Sequence, residues 1–92
     1  MLNSDCSRKR KKIFLNAGSD LNNLTSVDAL YSVASGTVVK NAPNGLTGIS
    51  VYCLPGTWGT IQIAIQYNVP ITYIRIKFSD WSAWYKISMT NL

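Results

Sequence analysis

The 92-residue chain contains no histidine and no glutamate. Without an imidazole, Ser-His-Asp and Cys-His catalytic groups and histidine-based metal sites cannot be built within one chain. The four acidic residues are all aspartates: Asp5, Asp20, Asp28 and Asp80. A glycosidase needs two carboxyls about 5–10 Å apart across the scissile bond. Asp20, Asp28 and Asp80 instead stand beside turn or cap sequences, where aspartate ordinarily bonds nearby backbone. The two cysteines, Cys6 and Cys53, are too few and too far apart for a disulfide framework, and Cys53 reads as a small buried hydrophobe. No apolar run reaches membrane-spanning length, and the basic start is followed by only Ile13-Phe14-Leu15 in place of a signal-peptide core. Neither a glycine-rich phosphate loop nor a metal-ligand spacing occurs. These absences point away from an enzyme, a cofactor, a metal and membrane insertion, and toward synthesis in the cytoplasm.

Charge is concentrated at one end. Arg8, Lys9, Arg10, Lys11 and Lys12 supply five of the nine positive residues behind the net charge of +5. From Ile13 onward, four positives (Lys40, Arg75, Lys77 and Lys86) face three negatives, so the remainder is close to neutral. Residues 1–12 read as a basic flexible leader and 13–92 as one small domain. A nucleic-acid interface would have to rest on that leader, which has no interleaved aromatics, so nucleic acid is not the favoured partner. A domain this small buries limited surface, so contact with further copies of itself is expected to support it.

The remaining residues alternate in short runs. Thr60–Tyr67 places Ile61, Ile63, Ile65 and Tyr67 on one side and Thr60, Gln62, Ala64 and Gln66 on the other. Ile71–Phe78 separates Ile74, Ile76 and Phe78 from Tyr73, Arg75 and Lys77. The two runs are joined by Asn68-Val69-Pro70, which suits a hairpin connection. Further strands are expected at Ile13–Leu15, Ala29–Ser35 and Thr47–Leu54, with a sixth in the aromatic segment Trp81–Ile87. Asn41–Gly45 and Pro55–Gly59 carry turn chemistry. Asp20–Thr25 suits one short helical turn, capped by Ser19 or Asp20 with Leu21 and Leu24 inward. The expected fold is all-β: a small antiparallel sheet or sandwich with at most one short helical turn near the N-terminus. The isoleucine-rich side is expected to form the core and the Gln-Tyr-Arg side to be exposed.

Asp20-Leu21-Asn22-Asn23-Leu24-Thr25, Tyr31, Asn41-Ala42-Pro43, Gln66, Tyr73-Ile74-Arg75 and Trp81-Ser82-Ala83-Trp84 occur in an order that resembles the pyocin-knob-like domains of phage tail fibres and phage-tail-like bacteriocins. The resemblance spans Asn16 to Ile87. It implies a β-rich knob at the tip of a trimeric fibre, attached to a bacterial surface glycan or protein. A cap that only trimerises or assembles the fibre is the structural alternative.

Candidate ligand-binding residues are Gln62, Gln66, Tyr73, Arg75 and Trp84. Amides and aromatic faces hydrogen-bond sugar hydroxyls and cover the apolar side of a sugar ring, while an arginine can hold a carboxylate or phosphate. Each has a structural counterpart: the polar face can line a subunit interface, and Arg75 can pair with Asp80 or a neighbouring subunit. Trp81 is expected to share a face with Tyr85 and Ile87 in the core, leaving Trp84 as the exposed stacking surface. Trp58, between turn residues, is either exposed or a plug at the end of the sheet.

Overall fold

A computed structural model describes residues 11–27, 29–67 and 69–87. Most of the basic leader, together with Cys6 and Asp28, lies outside the described residues. Lys11 and Lys12, expected in the leader, instead begin the first strand.

Six strands form one sheet in sequence order: β1 (Lys11–Phe14), β2 (Ala29–Val33), β3 (Ile49–Gly56), β4 (Gly59–Gln66), β5 (Thr72–Lys77) and β6 (Tyr85–Ile87). The all-β expectation is met. The sheet is mixed, however: β2 to β6 pair antiparallel, while β1 pairs parallel with β2. A parallel neighbour requires a long crossover, and residues 15–28 provide it. That crossover contains the expected helical turn, a 3-10 turn at Leu21–Asn23. Asp20 caps it, its carboxylate accepting from the Asn22 amide at 2.9 Å. The β2–β3 connection contains a second such turn at Pro43–Gly45.

The two connections zip together along one face of the sheet. The amide of Lys40 donates to Ser19 O at 2.7 Å, that of Leu21 to Lys40 O at 3.1 Å, and that of Gly18 to Val38 O at 2.9 Å. Beneath them, Tyr31, Val51, Ala64 and Tyr73 lie in register across β2 to β5. Val33, Ile49 and Cys53 share this inner face, and Leu21 and Val39 close over it from the loops. Burial without water removes a penalty of roughly 1.5–3 kcal/mol per large apolar side chain, which is the main force seating the loops.

The buried face is the opposite of the one expected. Gln62, Ala64, Tyr73 and Arg75 point into the core, whereas Ile61, Ile63, Ile65 and Ile74 point away from the loops and remain half-buried among their cross-strand neighbours. Ile76 is 51 % exposed and Phe78 71 %. The physical reason lies in the connections: Leu15, Leu21, Leu24, Val39, Ala42 and Leu46 all pack on the inner face. The outer face therefore carries a row in register, Leu30, Tyr52, Ile63, Ile74 and Tyr85, with Leu54, Ile61 and Ile76 beside it. One polar cluster interrupts it. The Tyr67 hydroxyl lies 3.0 Å from Ser50 Oγ and 3.2 Å from Ser32 Oγ, satisfying two buried hydroxyls. Those hydrogen bonds, first from Ser32 and then from Ser50, hold the Tyr67 phenol below its ordinary range.

Candidate functional site

Three of the five candidate residues, Gln62, Arg75 and Trp84, meet in one network beneath the loops. Strand register sets Gln62 of β4 directly against Arg75 of β5 on the inner face. The Gln62 amide is fully buried and uses both ends. Its Nε2 donates to Leu21 O and to Leu24 O, each at 2.8 Å, and its Oε1 accepts from Arg75 Nε at 2.9 Å. The side chain is thus a clasp between the capped turn and the centre of the sheet. Cys53 lies alongside, its Sγ donating to Leu24 O at 3.1 Å. Burial pushes its thiol pKa up, consistent with the expected role as a small core residue.

Arg75 is only 4 % exposed and lies between two indoles. Its guanidinium carbon sits 4.1 Å from the Trp81 ring centroid and 4.6 Å from that of Trp84. Such cation–π contacts strengthen as water is removed. Burial lowers the guanidinium pKa to about 10, with Asp20 partly opposing the shift, so the group stays charged at neutral pH. Its hydrogen bond goes to Gln62 rather than to Asp80, whose carboxylate accepts from the Trp81 amide at 3.2 Å.

The indoles in turn hold the loops. Trp81 Nε1 donates to Asn22 O at 3.1 Å and Trp84 Nε1 to Asn41 O at 2.8 Å. Asn41 adopts a left-handed backbone, φ 63°, which asparagine tolerates better than most residues. Its side-chain amide donates to Asp20 Oδ1 at 2.7 Å. This bond and the Asn22 amide hold the Asp20 carboxyl below the ordinary aspartate range. Asp20, Asn22, Asn41, Gln62, Arg75, Trp81 and Trp84 therefore form one connected unit joining both loops, β4, β5 and the segment before β6.

This geometry corrects the expected exposed patch. Gln62, Tyr73 and Arg75 are buried under the loops, because the inner face is the covered one. Gln66, opposite Ile49 at the end of β4, is half-buried and lies apart from the network. Trp84 is half-buried and packs on the core instead of standing exposed. Trp81 precedes β6, forms a bridge with Lys77 and stacks on Arg75, so it does not share a strand face with Tyr85 and Ile87. The network can frame a loop surface, but its members are not free to close on a ligand.

Two features escaped the reading by alternation. One is the exposed apolar outer face. Its signal was present in the density of isoleucines in two adjacent strands, more than a single small core requires. The other is a shallow apolar hollow of about 230 Å³ at one end of that face, lined by Gly56, Thr57, Trp58, Gly59, Ile61, Ile76 and Phe78. Trp58, at the tip of the β3–β4 hairpin, is 77 % exposed and forms one wall. At the β1 edge, Lys12 Nζ lies 5.0 Å from the Phe14 ring centroid, a local use for one of the basic residues. Among the described residues, no helix is long and apolar enough to cross a membrane. No family model, curated protein or solved structure matches the chain.

Proposed function

We propose that the chain is a knob-type, non-enzymatic attachment module at the tip of a fibre of a phage or phage-tail-like particle. Three copies form the tip, and the ligand is a bacterial surface receptor, with glycan as the favoured class. The observation that carries this reading is the convergence of the residues behind the resemblance. Asp20, Asn22, Asn41, Arg75, Trp81 and Trp84 are scattered over the sequence yet meet in one network that pins the loops to the sheet. A rigid scaffold carrying fixed polar loops is the usual arrangement for recognition, since fixed loops lose little entropy on binding. On this reading Gln62, Arg75 and Trp84 are the frame, and the contact surface is the exposed loop edge around Asn41–Gly45. There Asn44 stands exposed in a left-handed backbone position, next to Asn41, whose own amide is held by Asp20. Side-chain amides offer both donors and acceptors to sugar hydroxyls.

The test is adhesion of the labelled chain to a panel of bacterial cells and to their isolated surface polysaccharides. Specific binding to a subset, reduced by Asn44→Asp with unchanged melting temperature, is the expected result. Binding to no cell and no polysaccharide refutes the attachment reading. The alternative of an assembly cap without a ligand is favoured by the outer apolar face, and predicts self-association with no adhesion.

A further inference from the structure

We infer that the outer face of the sheet is the surface through which copies of this chain associate, the outer faces of the copies turned inward toward a common axis. The inference rests on the knob reading only for the number of copies. Its physical basis is a contiguous apolar surface of the size that on monomers usually marks an interaction site. The row Leu30, Tyr52, Ile63, Ile74 and Tyr85 runs across five of the six strands. With strands about 4.8 Å apart and residues about 3.4 Å apart, six strands of about six residues present a footprint of roughly 25 by 20 Å. That is about 500 Å² in projection, of the order of one partner's share of a standard interface, about 800 Å² of accessible surface.

The occupant follows from the chemistry of the face. Along its strands the only described charge is Lys12, at the β1 edge over Phe14. A polyanion would find no basic field there. A sugar would find hydroxyls only, without the amides and carboxylates that sort its stereochemistry. An apolar β-surface is matched by other apolar β-surfaces, since their side chains exclude water from one another where they meet. The outer face of a second copy is such a surface, and the sequence from Ile13 onward is too nearly neutral for copies to repel one another strongly. The hollow beside Trp58 and Phe78 continues the same face and gives an exposed aromatic of the neighbouring copy a place to seat.

The experiment is sedimentation equilibrium of the full chain across the micromolar range, beside Ile63→Lys and Ile76→Lys. The wild-type chain is expected as an oligomer. Each variant should raise its dissociation constant at least ~100-fold, because a lysine ammonium would be stripped of water at the centre of the contact. Tryptophan fluorescence reports whether the Trp81–Arg75–Trp84 stack on the opposite face survives. Ile76 is 51 % exposed, so its variant reads the interface even if Ile63→Lys unfolds. A wild-type monomer throughout the range overturns the inference, and co-sedimentation of that monomer with lipid vesicles would assign the face to a membrane surface instead. Folded variants whose association is unchanged overturn it too. A monomer that still adheres to bacteria removes the interface and leaves the attachment reading standing; an oligomer that adheres to nothing does the reverse.

Discussion

Replacing Gln62 by leucine tests the central claim that one amide clasps the capped turn to the sheet. Leucine has a similar size and is apolar, so the cavity contribution is small and the polar contribution dominates. Three short hydrogen bonds vanish, at 2.8, 2.8 and 2.9 Å, together with the weak 3.8 Å bond from Nε2 to Cys53 Sγ. Their acceptors are not equally stranded. Leu21 O keeps the Leu24 amide at 3.2 Å, and Leu24 O keeps only the weak Cys53 thiol donor at 3.1 Å. Arg75 Nε, a charged donor in a nearly dry site, loses its partner altogether. Taking about 1.5–3 kcal/mol for the charged bond and about 0.5–1 kcal/mol for each carbonyl, the gross loss is roughly 2.5–5 kcal/mol. Better burial of leucine than of an amide returns about 1 kcal/mol, leaving a net destabilisation of about 3 kcal/mol. For a chain of this length the whole stability is on the order of 5–14 kcal/mol, so the midpoint should move visibly. The assay is urea denaturation followed by tryptophan fluorescence, at one fixed protein concentration because association would contribute to the apparent stability. Gln66→Leu on the same strand, outside the network, should stay within about 0.5 kcal/mol of wild type. A loss below about 1 kcal/mol for Gln62→Leu, or an equal loss for Gln66→Leu, would refute the clasp.

Other substitutions probe separate parts of the fold. A β-carbon at Gly59 would fall on the carbonyl oxygen of Lys77, so Gly59→Ala should cost about 2 kcal/mol or more in the same denaturation assay by forcing β4 and β5 apart. Tyr67→Phe leaves the buried Ser32 and Ser50 hydroxyls without their shared partner and should cost about 1–2 kcal/mol; a neutral outcome would mean that the serines find each other. Asp20 has a folded pKa below its unfolded value of 3.8, so below that value the unfolded chain holds more protons and stability falls as the pH drops through the folded pKa. The Asp20→Asn variant should accordingly show a flatter loss of stability in acid, measured as melting temperature against pH. Trp84→Phe deletes the bond to Asn41 O and weakens one wall of the Arg75 stack, and should cost about 1–2 kcal/mol while speeding amide exchange in residues 38–41 more than in β3.

Several features were determined locally and are therefore legible along the chain. Alternation in 60–67 and 71–78 marks β4 and β5 within a residue or two, because backbone pleating makes period two a property of each strand alone. Asp20 before Leu21-Asn22-Asn23 marks a capped turn, because the capping bond spans only two residues. Thr57-Trp58 between Gly56 and Gly59 marks a hairpin tip on the same grounds. Which face is buried is a different kind of fact. Both faces of β4 and β5 carry groups that can be inside, and hydrophobicity alone favours the isoleucines. The parallel crossover from β1 to β2, a pairing that short-range pattern cannot reveal, carries Leu21 and Leu24 over the other face. The Leu21 and Leu24 carbonyls of that crossover and Arg75 of β5 then supply the bonds that Gln62 needs in order to be buried, while the indoles of the segment before β6 cover Arg75. Gln62 could go inside only because partners 13 to 41 residues away arrive with matched donors and acceptors. Tertiary structure alone therefore decided that Arg75 is a stacked, buried cation and that the isoleucine face is the one left open.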